Sequence, residues 1–172
     1  IRLPDERSCS INLSAQALAE DGFLDFVVEC LDHSQVPPHR ICFEVSETAV
    51  MERFDQARRF VAVLHGIGCQ FGLDDFGSGL GSFTTLRDLS IDYLKIDGTY
   101  TRDLRPETLN HQVVTAVTAV SRILGFRVIA EQVETQADFE TLRSIGVDFI
   151  QGNFIDRPHR LGEASTALSV AQ

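Results

Sequence analysis

No CxxC pair occurs among the four cysteines of this 172-residue chain, and none of them has a histidine at metal-finger spacing. That excludes a zinc-finger framework. Cys30, Cys42 and Cys69 lie in or beside apolar runs, where a free thiol behaves as a small hydrophobe, and a reduced cytoplasmic compartment is the expectation. No apolar run approaches the roughly 18–20 residues needed to span a bilayer, and no basic-then-apolar leader is visible. Cationic side chains are scarce too: 15 Lys and Arg stand against 25 Asp and Glu, a net charge of −10. This balance argues against a broad surface tracking nucleic-acid phosphates, so no DNA or RNA polymer is expected as partner. A small anionic ligand is still compatible with it, because bound cations invert a local field.

What is present is a core and a rhythm. With 44% hydrophobic and 23% charged residues, the chain has the make-up of about one soluble globular domain. Strand-like runs are expected at Ser8 to Leu13, Arg40 to Val45, Gln70 to Leu73, Tyr93 to Ile96, Arg127 to Ala130 and Phe149 to Ile150. Between them apolar residues recur at three and four. The sets are Phe23, Phe26, Val27, Cys30 and Leu31; Phe60, Val63, Leu64 and Ile67; Val113, Val114, Val117, Val120 and Leu124; and Phe139, Leu142 and Ile145. Gly68, Gly125 and Gly146 stand just past helical stretches, where a left-handed residue is wanted. Leu161 to Gln172 reads as a last surface helix.

Alternating βα units imply a parallel sheet covered by helices, either an open doubly wound sheet or a (β/α)8 TIM-type barrel. Asn12, Glu44, Asp74, Lys95, Glu131 and Gln151 each end, or adjoin the end of, one of the six strands. A barrel gathers its C-terminal strand ends at one mouth, whereas an open sheet spreads them along a line. The barrel is therefore expected, incomplete at about six of eight units. The chain opens on Ile1 and almost at once enters a strand. The whole of 1–172 reads as one partial domain cut from a longer protein, with the first one or two units upstream.

One strand end carries two adjacent acids, Asp74 and Asp75, followed by the turn Phe76-Gly77-Ser78-Gly79. Two like charges side by side call for a positive partner, and a hard divalent cation takes oxygen ligands while keeping positions open for water and phosphate.

With these positions in hand, the chain resembles the EAL domain, the bacterial phosphodiesterase module for cyclic di-GMP. Six stretches carry the resemblance, in order: Ile11-Asn12-Leu13-Ser14-Ala15, Phe43-Glu44-Val45-Ser46-Glu47-Thr48, Leu73-Asp74-Asp75-Phe76-Gly77-Ser78-Gly79, Asp92-Tyr93-Leu94-Lys95-Ile96-Asp97, Ile129-Ala130-Glu131-Gln132-Val133-Glu134-Thr135 and Gln151-Gly152. The resemblance implies that Asn12, Glu44 and Asp74 hold a first Mg²⁺ or Mn²⁺ and that Asp75 helps bind a second, with Glu131 a further metal or water contact. Two such ions about 4 Å apart clamp a phosphodiester and activate a water. Lys95 is implied to orient that water or a phosphate oxygen, Glu134 and Gln151 to brace the substrate end, and Glu47 to anchor the loop after Asp75. The expected partner is cyclic di-GMP. Homodimerisation through a helix and that loop is expected as well, with a GGDEF or sensor domain upstream in the parent.

Three departures qualify this. The Glu-Ala-Leu segment that names the family, with another ligand of the first metal, is expected upstream of Ile1. Gln132 stands where the family has Gly, beside Glu131, and a longer side chain there is expected to crowd the site. Gly81 and Leu80 replace a serine and an aromatic in the loop after the acids. Two readings follow: hydrolysis of cyclic di-GMP to linear pGpG by the intact parent and not by this stretch alone, or a catalytically inactive module that binds the nucleotide.

Overall fold

The computed structural model describes residues 8–77 and 87–158, where strand and helix alternate. Strand β1 (Cys9–Leu13) is followed by helices α1 (Ala15–Ala19) and α2 (Phe23–His33) and a 3-10 turn at Pro38–Arg40. Then come β2 (Ile41–Ser46), α3 (Glu47–Glu52), α4 (Phe54–Ile67), β3 (Gln70–Phe76) and β4 (Tyr93–Ile96). The chain continues through α5 (Leu109–Leu124), β5 (Arg127–Ala130), α6 (Gln136–Ile145) and β6 (Phe149–Ile150). It divides into two compact units, Ile1–Leu94 and Lys95–Gln172, with the division falling inside β4.

In the first unit β1, β2 and β3 pair in parallel, with Asn12 in register with Glu44 and Glu44 with Gly72. The Asp92 amide donates to the Phe71 carbonyl at 2.8 Å, and the Phe71 amide to Asp92 Oδ2 at 2.8 Å, bringing the chain entering β4 against β3. Alternation along the strands then separates two faces. Phe43 and Phe71 point at α4, their ring centroids 6.1 and 6.3 Å from that of Phe60, and Phe23 of α2 stacks on Phe60 at 6.0 Å. Phe43, Phe60 and Phe71 are buried, each contributing roughly 1.5–3 kcal/mol by removal from water. The other face carries Cys42, Glu44, Gly72 and Asp74.

In the second unit β5 and β6 pair in parallel, and the Glu131 amide donates to the Ile96 carbonyl at 3.3 Å, continuing the ladder from β4. Ile96, Val114, Val128, Ala130, Val133 and Leu142 are buried there. Arg122 Nη2 donates to the Gly146 carbonyl at 3.0 Å, tying the end of α5 to the end of α6.

Strand order follows chain order, β1-β2-β3-β4-β5-β6, all neighbours in one sheet. An open doubly wound sheet reverses order at a switch point, and no reversal occurs here. The fold is the α/β type of a (β/α)8 barrel, with six of its strands in the described residues. Gly68, Gly125 and Gly146 close their helices with φ of 105°, 86° and 88°, as their placement in the sequence leads one to expect. No helix among the described residues is long and apolar enough to cross a membrane.

Two expectations are corrected. Strand β3 does not stop at Leu73 but runs to Phe76, since Ser46 still pairs with Asp74 and Asp75 takes a left-handed φ of 55° inside the strand. Cys30 is exposed on α2, whereas Cys42 and Cys69 are buried small hydrophobes. Ser78, Gly79, Leu80, Gly81 and the expected helix from Leu161 to Gln172 lie outside the described residues.

Candidate active site

In the first unit the site begins with register. In-register residues on parallel strands, and residues two apart along a strand, point to the same face. Asn12, Glu44 and Asp74 therefore share the face opposite the phenylalanines, toward the C-terminal ends of β1, β2 and β3. Glu44 is buried, Asn12 exposed and Asp74 half-buried. Gly72 makes the room Glu44 occupies: a Cβ there would stand 3.2 Å from Glu44 Cγ and 3.7 Å from Cys42 Sγ. The donors are an amide and two carboxylates, an all-oxygen set suited to a hard divalent cation.

Asp75 adds a kink to this row. Neighbours in an unbroken strand face opposite sides, but its φ of 55° breaks the alternation at the acid pair. Aspartate tolerates that conformation better than most side chains. Asp74 Oδ1 accepts the Asp75 amide at 2.9 Å, which orients its carboxylate. Just past the pair, the Gly77 amide donates to Glu47 Oε2 at 3.0 Å. Glu47 is placed for this by Ser46, the last residue of β2, whose hydroxyl caps α3 by accepting from the Ala49 amide at 3.2 Å. Only 2% of Glu47 is exposed, too buried for the solvated first-turn acid that a helix N-terminus also favours.

In the second unit Lys95, from β4, and Glu131, just past β5, form an ion pair with Nζ 2.7 Å from Oε1; their side chains are 6% and 12% exposed. Glu131, Glu134 and Gln151 line one open cleft of about 500 Å³, together with Arg157. The cleft is held by backbone: the Gln151 amide donates to the Ala130 carbonyl at 2.9 Å and the Val133 amide to the Gln151 carbonyl at 3.1 Å. Gly152 crosses Val133 so closely that a Cβ would lie 2.2 Å from the Val133 carbonyl oxygen. Gln132 lines the same cleft as Glu131. It adopts φ 52°, and its Oε1 accepts from Arg102 Nη2 at 2.8 Å.

Sequence reasoning missed four residues here. Gly72 had a signal, since a glycine inside an apolar strand marks a close approach. Gly98, Thr101 and Arg102, which surround the Glu131–Gln132 turn, had none, because their meeting depends on a contact across 30 residues.

The family model described as the EAL domain matches residues 2–158. The cyclic di-GMP phosphodiesterase PdeB of Shewanella oneidensis is 33% identical over 160 residues, covering 93% of this chain and 19% of that protein. Of solved structures, the PaMucR phosphodiesterase in complex with c-di-GMP aligns with a TM-score of 0.86 at 31% identity, covering 90% of this chain and 68% of that one. The manganese/cy-diGMP complex of Klebsiella pneumoniae BlrP1 aligns with a TM-score of 0.81 at 29% identity, covering 90% and 39%. The chain spans about a fifth of the length of the curated relatives it matches.

Proposed function

This chain belongs to the EAL domain family, and on that premise we propose that it is part of a metal-dependent phosphodiesterase that hydrolyses cyclic di-GMP to linear pGpG, with activity residing in the intact parent. The observation that carries the reading is the row Asn12, Glu44 and Asp74: three oxygen donors on one face of three adjacent parallel strands. Glu44 and Asp74 put two negative charges on that face, and a cation stabilises such a pair.

Asn12, Glu44 and Asp74 would hold one Mg²⁺ or Mn²⁺, and Asp75 would take part in holding a second. Bound there, the ions supply an activated water and neutralise charge on the phosphodiester. The chain's own residues do the rest. Lys95 presents a buried ammonium that orients the attacking water or a phosphate oxygen, and Glu131 fixes that ammonium while offering its carboxylate to metal or water. Glu134 and Gln151, on the cleft wall, brace the substrate end. Glu47 holds the loop after the acid pair through Gly77. In this reading residues 1–172 form one partial barrel domain of a cytoplasmic enzyme. The parent pairs as a homodimer and carries GGDEF or sensor domains upstream.

The test is a nucleotide assay on the parent with Mg²⁺ or Mn²⁺. Linear pGpG accumulating only with metal supports hydrolysis. Tight binding of cyclic di-GMP with no linear product under either metal identifies a sensing module and overturns the hydrolase reading.

A further inference from the structure

We propose that the turn from Gly98 to Arg102 is a clamp that positions Glu131, with the buried Thr101 hydroxyl as its central contact. The inference rests on the role given to Glu131 above. Thr101 is wholly buried, and its Oγ1 donates to the Glu131 carbonyl, with the Gly98 carbonyl 3.2 Å away. A buried hydroxyl set between the Glu131 and Gly98 peptide oxygens ties the Glu131 peptide to the turn.

The peptide needs fixing, because the next residue is strained. Gln132 is not glycine, yet it has φ 52°, a conformation that persists in such residues only where the surroundings over-determine it. The same turn supplies that surrounding. Arg102 Nη2 donates to Gln132 Oε1 at 2.8 Å, and the Gln132 side chain lies directly over Gly98, where an added Cβ would come within 2.3 Å of Cδ and 2.8 Å of Cβ. Gly98 thus leaves the space into which the Gln132 side chain packs.

The turn is itself rigid. Asp97 Oδ1 accepts the Thr99 amide at 2.7 Å, and Asn110 Nδ2 donates to the Thr99 and Arg102 carbonyls at 3.1 and 2.8 Å. From this support Glu131 reaches Lys95 at 2.7 Å. Thr101 and Arg102 are positioning residues that act through Glu131.

Calorimetric Mn²⁺ titration and steady-state kinetics on the parent test this, with the thermal midpoint of each variant measured alongside. Thr101→Val keeps the shape and removes the hydroxyl. Mn²⁺ affinity and kcat should each fall by roughly fivefold or more, the loss of one hydrogen bond, with KM for cyclic di-GMP little changed. Thr101→Ser should restore both. Gly98→Ala should produce a similar loss that Gln132→Gly in the same chain relieves, a coupling that general destabilisation does not produce. Unchanged Mn²⁺ affinity and kcat in Thr101→Val, with wild-type turnover intact, overturn the clamp alone. A wild-type parent that neither binds Mn²⁺ nor makes pGpG overturns the functional reading and the clamp with it.

Discussion

The Lys95 ammonium lies 2.7 Å from a Glu131 carboxylate oxygen, and both side chains are almost wholly withdrawn from water. Such a pair gives little net stability relative to an apolar pair of the same volume, but removing one partner strands a buried charge. Lys95→Ala should therefore lower the unfolding free energy by about 3–5 kcal/mol, as well as abolish turnover. Lys95→Met combined with Glu131→Leu should recover most of the stability and none of the activity. Denaturant midpoints and product assays on the same samples separate the two effects. Retained turnover in either variant would remove Lys95 from the chemistry.

Asp75 joins a left-handed backbone to a carboxylate, and two substitutions pull these apart. Asn shares the tolerance for positive φ, so Asp75→Asn should fold with an unchanged midpoint while losing turnover. Asp75→Ala should cost about 1–2 kcal/mol in addition. Equal activity in Asp75→Asn and wild type would show that only the backbone geometry matters there.

The Glu47–Gly77 bond ties α3 to the segment after the acid pair. Glu47→Ala leaves the Gly77 amide without its charged acceptor and should cost about 1.5–3 kcal/mol, the value of a hydrogen bond to a charged group. Native-state hydrogen exchange at Gly77 should speed up markedly while exchange in the second unit stays unchanged. Undiminished protection at Gly77 would remove Glu47 as an anchor.

Thiol chemistry tests the packing independently. Burial pushes the Cys69 thiol above its ordinary pKa, so at mildly alkaline pH the folded chain holds less thiolate there than the unfolded one. With a disulfide reagent at about pH 8, exposed Cys30 should react first, and Cys69 and Cys42 only on unfolding. Fast native labelling of Cys69 would contradict the packing of β3 against its helices.

The strands, the helices and the ordered row of strand-end polar residues were legible in the sequence, because each rests on local periodicity and on residue types that sit badly in an apolar sheet. Asn12, Glu44, Lys95 and Glu131 could be placed at strand ends on that basis alone. The course of β3 through Asp75 was not legible, since an aspartate before a glycine-rich turn reads as a strand terminus, and only the register with β2 shows pairing persisting to Asp74. The placement of Gln132 was not legible either: its left-handed backbone and its bond to Arg102 set it over Gly98, across 30 or more residues of chain. The part Thr101 plays depends on a hydroxyl meeting a carbonyl 30 residues away, which no local pattern encodes.

Metal-dependent hydrolysis at Asp74 is read most directly by chromatographic detection of pGpG from cyclic di-GMP, comparing the parent with its Asp74→Asn variant in Mn²⁺ and in chelator. Product is expected from the wild type with Mn²⁺, none in chelator, and none from Asp74→Asn under either condition. Undiminished product from Asp74→Asn, or product from the wild type in chelator, would contradict this expectation.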